Sequence, residues 1–282
     1  MSSVMRVATA ADVALMLDWA AAEGWNPGLG DAAAFRAADP QGFFVAEVEG
    51  APVAAISVVN HSDDIAFLGL YLCRPDHRGQ GIGYALWQHA LAHAGGRTVG
   101  LDGVAAQQAN YAKSGFALAG STTRYSGALD AVADPDVRPL REGDSAALAA
   151  LDEAANGYAR PAFLSAWLAP DQTRWSVVLE AEGAICGVAT ARLCREGIKI
   201  GPVIAPDAEA ALRLARAALA AAPDGAEATP EVMIDLPEAS ADLAAQLQTL
   251  GFAPTFATAR MYRGPAPQAG TTLQAIATME LG

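Results

Sequence analysis

Lysine is nearly missing from this 282-residue chain: Lys113 and Lys199 are its two. With 18 Lys and Arg against 31 Asp and Glu, the formal net charge of −13 leaves no stock of cations for the basic face that a phosphate backbone requires. A nucleic-acid partner is therefore not expected, whereas a cationic acceptor such as an amine is compatible with this charge. Cysteine is equally sparse. Cys73, Cys186 and Cys194 are odd in number and far apart, so they form neither a disulfide framework nor a C-x-x-C metal knuckle. No apolar run approaches the ~20 residues of a membrane span. The opening MSSVMRVATAADV lacks the charged-then-apolar build of a signal peptide. Together these absences set the expectation of a cytoplasmic protein without a membrane partner. His89 and His93 lie one turn apart, but H-A-L-A-H has no Glu for a metalloprotease-type H-E-x-x-H, and no metal is expected.

What the sequence does contain is apolar bulk, 52% of its residues, enough for packed cores in one or two domains. It also contains one informative turn. His77-Arg78-Gly79-Gln80-Gly81-Ile82-Gly83 follows an apolar strand-like run, Ile65 to Cys73, and precedes a helix-like run, Tyr84 to Ala94, stopped by Gly95-Gly96. Strand, glycine turn and helix start together offer unpaired backbone N–H groups to a phosphate. A nucleotide P-loop would need G-x-x-x-x-G-K-[ST], yet Tyr84-Ala85 stand where the Lys and hydroxyl belong. A dinucleotide fingerprint needs G-x-G-x-x-G, and its third glycine would fall on Tyr84 or Leu86. What remains is R-x-x-G-x-G from Arg78, with Pro75 three residues before it, against the plain alternative of a strand-to-helix connection.

That turn resembles the acyl-CoA pyrophosphate loop of the GNAT N-acetyltransferase superfamily. A second stretch, from Gln107 to Phe116, resembles the superfamily's Y-x-x-x-G-F ending, with Tyr111 four residues before Gly115 and a short strand, Thr98 to Leu101, between the two motifs. The chain also repeats itself. Arg6 and Arg138 each precede an Asp at the same spacing, Asp12 and Asp144. Paired strand-like runs follow, Phe43 to Glu49 with Val53 to Val59, and Trp175 to Glu180 with Ile185 to Leu193. Asp102 and Asp235 sit at late strands, and Gly115-Phe116 and Gly251-Phe252 precede Arg124 and Arg260 at equal distance. Residues Ala128 to Pro135 read as a linker. The expected fold is α/β (α+β): two tandem GNAT-like domains, 1–131 and 136–282, each a mixed, mostly antiparallel twisted sheet flanked by helices. Glu23-Gly24-Trp25-Asn26-Pro27-Gly28, Gly201-Pro202-Val203 and Arg260-Met261-Tyr262-Arg263-Gly264 resemble a bacterial two-domain group whose first domain is catalytic. The second copy has no R-x-x-G-x-G, an acidic helix start at Asp207 and Glu209, and Gln246 where the first has Tyr111. It is expected to be degenerate and not to bind acyl-CoA.

The resemblance implies an acyl-CoA, foremost acetyl-CoA, as co-substrate and an amine of a small molecule as acceptor. Backbone groups of Gly79, Gln80, Gly81, Ile82 and Gly83, with the charge of Arg78, are expected to hold the pyrophosphate, and Asn110 to contribute beside them. Main-chain groups of Tyr71, Leu72 and Cys73 are expected along the pantetheine arm, and Tyr111 at the departing thiolate. Cys73 is read as a small packing residue rather than a nucleophile, because no motif places a base beside it. Trp25 and Asn26 are expected to line the acceptor site. The proton acceptor for the amine stays open. Ile65 to Cys73 contains no acid where many such enzymes carry a Glu, which leaves Asp102 first and His61, Asp63, Asp64 and Glu23 behind it. A non-catalytic acyl-CoA-binding sensor is the alternative reading, and a homo-oligomer stays open.

Overall fold

A computed structural model describes residues 3–169, 171–223 and 231–282. Residues 1–2 of the first expected domain, and 170 and 224–230 of the second, lie outside it. The first half runs β1 (Val4–Val7), α1 (Ala10–Ala22), α2 (Asp31–Ala38), β2 (Phe43–Val48), β3 (Ala51–Asn60), β4 (Ile65–Cys73), α3 (Ile82–Leu91), β5 (Thr98–Gly103), α4 (Gln108–Lys113) and β6 (Ala117–Gly127). The second repeats this plan with β7 (Val137–Pro139), α5 (Ser145–Asn156), α6 (Pro161–Leu168), β8 (Arg174–Ala181), β9 (Ala184–Leu193), β10 (Ile198–Ile204), α7 (Ala208–Ala220), β11 (Val232–Pro237), α8 (Ala241–Thr249) and β12 (Ala253–Arg263). One further strand follows, β13 (Leu273–Ala275). No helix among the described residues is long and apolar enough to cross a membrane.

The strands are apolar on both faces because both faces are covered. Phe44, Ala46, Ile56, Val58 and Leu68 pack against Ile82, Leu86, Trp87 and Ala90 of α3. Their period-2 neighbours Phe43, Val45, Ala55, Val59 and Leu70 face Val13, Met16 and Phe35 of α1 and α2. The repeated Arg and Asp at each opening form the same clamp twice. Arg6 bonds Asp12 at 2.6 Å and Glu47 at 2.5 Å, and Arg138 bonds Asp144 at 2.8 Å and Glu180 at 2.6 Å. Asp12 also completes a capping box with Thr9 at the start of α1. Its carboxyl is held down to about 2, chiefly by the Arg6 hydrogen bonds.

The two expected sheets are joined, and the join exchanges strands. The order is β1-β2-β3-β4-β5-β12-β6-β11-β10-β9-β8-β7, with β13 on β10. The last long strand of the second half, β12, therefore pairs with β5 of the first, and β6 of the first pairs with β11 of the second. β6 and β12 meet antiparallel at the centre. Each exchanged strand carries the arginine that the repeat singled out, directly opposite the late-strand aspartate of the other half. Arg124 reaches Asp235 through Nε at 2.7 Å and Nη2 at 2.8 Å. Arg260 reaches Asp102 at 2.8 and 2.7 Å in the same forked manner. A chain divided between 131 and 136 would leave each half's closing strand in the other's sheet.

Two strand pairs part company near the centre. β4 and β5 run parallel from Ile65↔Thr98 to Leu68↔Leu101 and then diverge. A bulge against β3, where Leu70 and Tyr71 oppose Ile56, turns β4 away, and Leu70 adopts a φ of 48° to make it. β10 and β11 likewise pair from Ile198↔Val232 to Ile200↔Ile234 and then separate.

Removing one partner of a buried ion pair strands the other charge. Arg124→Met and Arg260→Met should therefore each lower stability by about 3–5 kcal/mol. Because each pair spans both halves, urea unfolding followed by tryptophan fluorescence and by far-UV circular dichroism should stay one coincident transition, shifted as a whole. Two separated transitions, with one of them shifted, would show that the halves fold independently.

Candidate active site

Where β4 and β5 diverge, the first half opens a cleft of about 520 Å³. One wall is β4 from Leu68 to Cys73, whose edge facing β5 has lost its strand partner beyond Leu68. The mouth is the loop into α3. Gly79 and Gly81 have φ of 74° and 81° there, the left-handed region that makes glycine the fitting residue at both. Gly81 is the N-cap of α3 and no side chain caps it, so the first helical amides, from Ile82 onward, keep their donors free. The second half does the opposite on both counts. The Asp207 carboxylate accepts from Ala210 N at 2.8 Å at the start of α7. β13 fills the gap between β10 and β11, pairing Val203↔Ala275, while Ile276 N donates to Asp235 O at 3.0 Å.

Several residues expected at the site do line this cleft: Trp25, Tyr71, Leu72, Cys73, Arg78, Gly79, Gly81, Gly83, Asp102 and Tyr111. Tyr111 projects from α4 and stacks on Trp87, with ring centroids 5.4 Å apart and 13° between planes. Burial, with a smaller push from Tyr71, raises its phenol to about 12. Burial also raises the Cys73 thiol, whose Sγ leans on the carbonyl of Arg74 at 3.7 Å, so it lacks thiolate character. Arg78 folds across the mouth, donating through Nε to Cys73 O at 2.8 Å and through Nη2 to Glu23 at 2.6 Å. The carbonyl of Trp25 accepts from Arg124 at 3.1 Å and from Lys199 at 2.9 Å, which pins the α1–α2 loop over the inner end of the cleft.

Other expectations fall elsewhere. Ile82 is buried in the core beneath α3, and the Gln80 side chain donates to Asp76 O at 3.0 Å, so both would serve a ligand through the backbone alone. Asn110 is exposed on α4, bonded to Gln107 at 2.9 Å, and is not on the cleft wall. The Asn26 amide ties its loop to the β9–β10 hairpin through Glu196 O at 2.8 Å, and Asn26 is not among the residues lining the cleft. Asp102 has no exposed side-chain surface, and both its oxygens are taken up in the Arg260 fork. His61 is fully buried and lowered to about 4, mainly by burial and then by Arg160. It is neutral and donates Nε2–H to Leu281 O at 2.7 Å. Asp63 is exposed beside Arg97 at 3.6 Å, away from the cleft. His89 and His93 both pack edge-on against Phe44.

The inner end of the cleft is built by residues that no motif assigned to the site, Arg124 having been marked by the repeat alone. Arg124 comes from β6, Phe256 and Thr258 from exchanged β12, and Met279 and Glu280 from the segment after β13. That segment leaves the second half's gap and crosses to the first. Arg192 donates to Ala277 O at 2.8 Å, His61 to Leu281 O, and Arg160 to Gly282 O. A Cβ at Gly69 would collide with the carbonyl oxygen of Glu280, so glycine at this point of β4 is what admits the segment. One signal in the sequence pointed here: Glu280 is the lone charge in the apolar run from Leu273 to Gly282.

Comparison with known proteins agrees with this architecture. Residues 12–116 match the model of the acetyltransferase (GNAT) family, and residues 148–274 match a second model described as an acetyltransferase (GNAT) domain. Holothin acyltransferase of Pseudoalteromonas sp. (strain SANK 73390) is 37% identical over 268 residues, covering 94% of this chain and 90% of that protein. Among solved structures, a candidate acetyltransferase of Pyrococcus horikoshii aligns with a TM-score of 0.81 at 18% identity, over 99% of this chain and 96% of its own. A tandem GNAT protein from the clavulanic acid biosynthesis pathway aligns at 0.64, also at 18% identity, over 94% and 99%. The chain belongs to the GNAT acetyltransferase family, carries two such domains in tandem, and is an acyltransferase.

Proposed function

We propose that this chain is an acyl-CoA-dependent N-acyltransferase, with acetyl-CoA as the first co-substrate to test and an amine of a small molecule as acceptor, and that the cleft of the first half does the chemistry. One observation carries the reading: an unpartnered strand edge, an uncapped helix start and a buried tyrosine converge on one cleft, while the second half lacks all three. The free amides at the start of α3 would hold a pyrophosphate, with Arg78 adding charge once it exchanges Glu23 for a phosphate. Main-chain groups of Tyr71, Leu72 and Cys73 would pair with an extended arm as an added strand does. An amide on that edge would also polarise the acyl carbonyl. When bound, an acyl-CoA supplies the activated carbonyl and the thiolate leaving group.

Tyr111, on the cleft wall, would meet that thiolate. A phenol near 12 lies several units above a thiol of ordinary pKa ~8.5, so full proton transfer is uphill. Its main work is a hydrogen bond that strengthens as charge develops on sulfur. The acceptor enters at the other end, beside Trp25, whose ring offers an aromatic face to a cation or a flat heterocycle. Holothin, named for the relative, belongs in the first acceptor panel.

Calorimetric titration should find one acetyl-CoA per chain; two sites would contradict a filled second cleft. Thiol release from acetyl-CoA with a panel of amines should show turnover that Tyr111→Phe lowers by roughly 100-fold in kcat, with acetyl-CoA affinity unchanged. A raised pKa keeps the phenol protonated as pH rises, so kcat should show no alkaline fall due to Tyr111 below about pH 10. A wild-type alkaline limb that disappears in Tyr111→Phe would contradict this placement.

A further inference from the structure

Three carboxylates line the cleft: Glu23, Asp102 and Glu280. The first is taken by Arg78 at the mouth and the second by the Arg260 fork. Glu280 differs. Its Oε2 accepts from the Thr278 hydroxyl and its backbone N–H donates to the same Thr278 Oγ1 at 3.1 Å, which holds the side chain in place. Oε1 has no hydrogen-bond partner among the described residues, and no guanidinium or ammonium there forms an ion pair with the group. The charges around it come from four other strands: Arg124 on β6, Arg192 on β9, Lys199 on β10, and Asp235 on β11. Glu280 is 6% exposed overall, yet it stands on the cleft wall with its backbone against Gly69 of β4. β4 itself contains no acidic side chain.

Building on the acyltransfer reading above, we propose that the segment Ala277–Gly282, threaded from the second half's gap into the first half's cleft, delivers Glu280 as the proton acceptor for the incoming amine. The second half thus contributes a catalytic group to the first, and its own gap serves as the guide for the segment. An alkylamine of pKa ~10 arrives as an ammonium at neutral pH. It gives one proton to Glu280, directly or through a water, and Glu280 passes that proton to solvent. The freed nitrogen lone pair forms the N–C bond, and the C–S bond breaks with its electron pair on sulfur. The second nitrogen proton leaves as the thiolate gains one, so the reaction nets an amide, a thiol and the single proton released to solvent.

The test compares wild type with Glu280→Gln and Glu280→Asp, using acetyl-CoA and primary amines graded in pKa from alkylamines to an aromatic amine that is neutral at the assay pH. Glu280→Gln should lower kcat on alkylamines by at least about 100-fold. The loss should shrink toward none for the neutral amine, with melting temperature and acetyl-CoA affinity unchanged. Glu280→Asp keeps the charge among Arg124, Lys199 and Arg192 but withdraws it from the cleft, and should lose an intermediate factor; it carries the test if the Gln variant does not fold. Variants within about twofold of wild type, or an equal loss on every amine with a lower melting temperature, would overturn the proposal and leave Glu280 a structural anchor. Wild type that binds acetyl-CoA but acylates no amine would overturn the acyltransfer reading and this inference with it.

Discussion

The structure depends on the antiparallel pair β6–β12 at its centre, and on the two guanidinium–carboxylate forks that fix which strand lies beside it. Arg124 with Asp235 and Arg260 with Asp102 each join a strand of one half to a strand of the other. A buried fork of this kind adds little net stability over an apolar replacement, but it penalises every register in which one charge loses its partner. Here that penalty selects the exchanged arrangement over two closed, separate sheets. It also makes the first half's cleft dependent on the second half, because β12 supplies Phe256 and Thr258 to it.

Two similar clefts formed by the same splay of strands have opposite fates. In the first, β4 bulges at Leu70 and leaves its edge bare, and the helix beyond starts without a cap. In the second, β13 lies on the corresponding edge, and Asp207 satisfies the helix amides with a carboxylate. The same physical demand, that a strand edge and a helix start find hydrogen-bond partners, is met internally in one half and left open in the other. Divergence of a repeat is thus written as where the backbone's polar groups are satisfied.

Electrostatics divides the acids in the same way. The chain is strongly acidic, yet two of the three carboxylates at the cleft are neutralised by arginine. At the inner end of the cleft, Arg124, Arg192 and Lys199 form a buried cationic floor under Trp25 and Glu280. Net charge said nothing about this local field, because the field is set by which few groups the fold removes from water.

Local patterns in the sequence were sufficient for the elements and for one side of the cleft. Periodicity placed β2–β4 and β8–β9, the glycine turn placed an uncapped helix start, and Tyr111 with Gly115-Phe116 placed the aromatic at the cleft wall. Each is a short-range signal, enforced by φ, capping or side-chain alternation within a few residues. The equal distance from Gly115-Phe116 to Arg124 and from Gly251-Phe252 to Arg260 was visible too, as were the late-strand Asp102 and Asp235, but not that each arginine would reach the other half's aspartate. Likewise Asp102 looked like an available base until its fork appeared, and no motif marked Glu280. Which strand enters which sheet, and which segment fills a gap, are decided by pairings more than a hundred residues apart in the chain. Such pairings depend on the free energy of the whole packed sheet, to which no local window of sequence has access, so the tertiary structure alone decided which acid reaches the cleft unpaired.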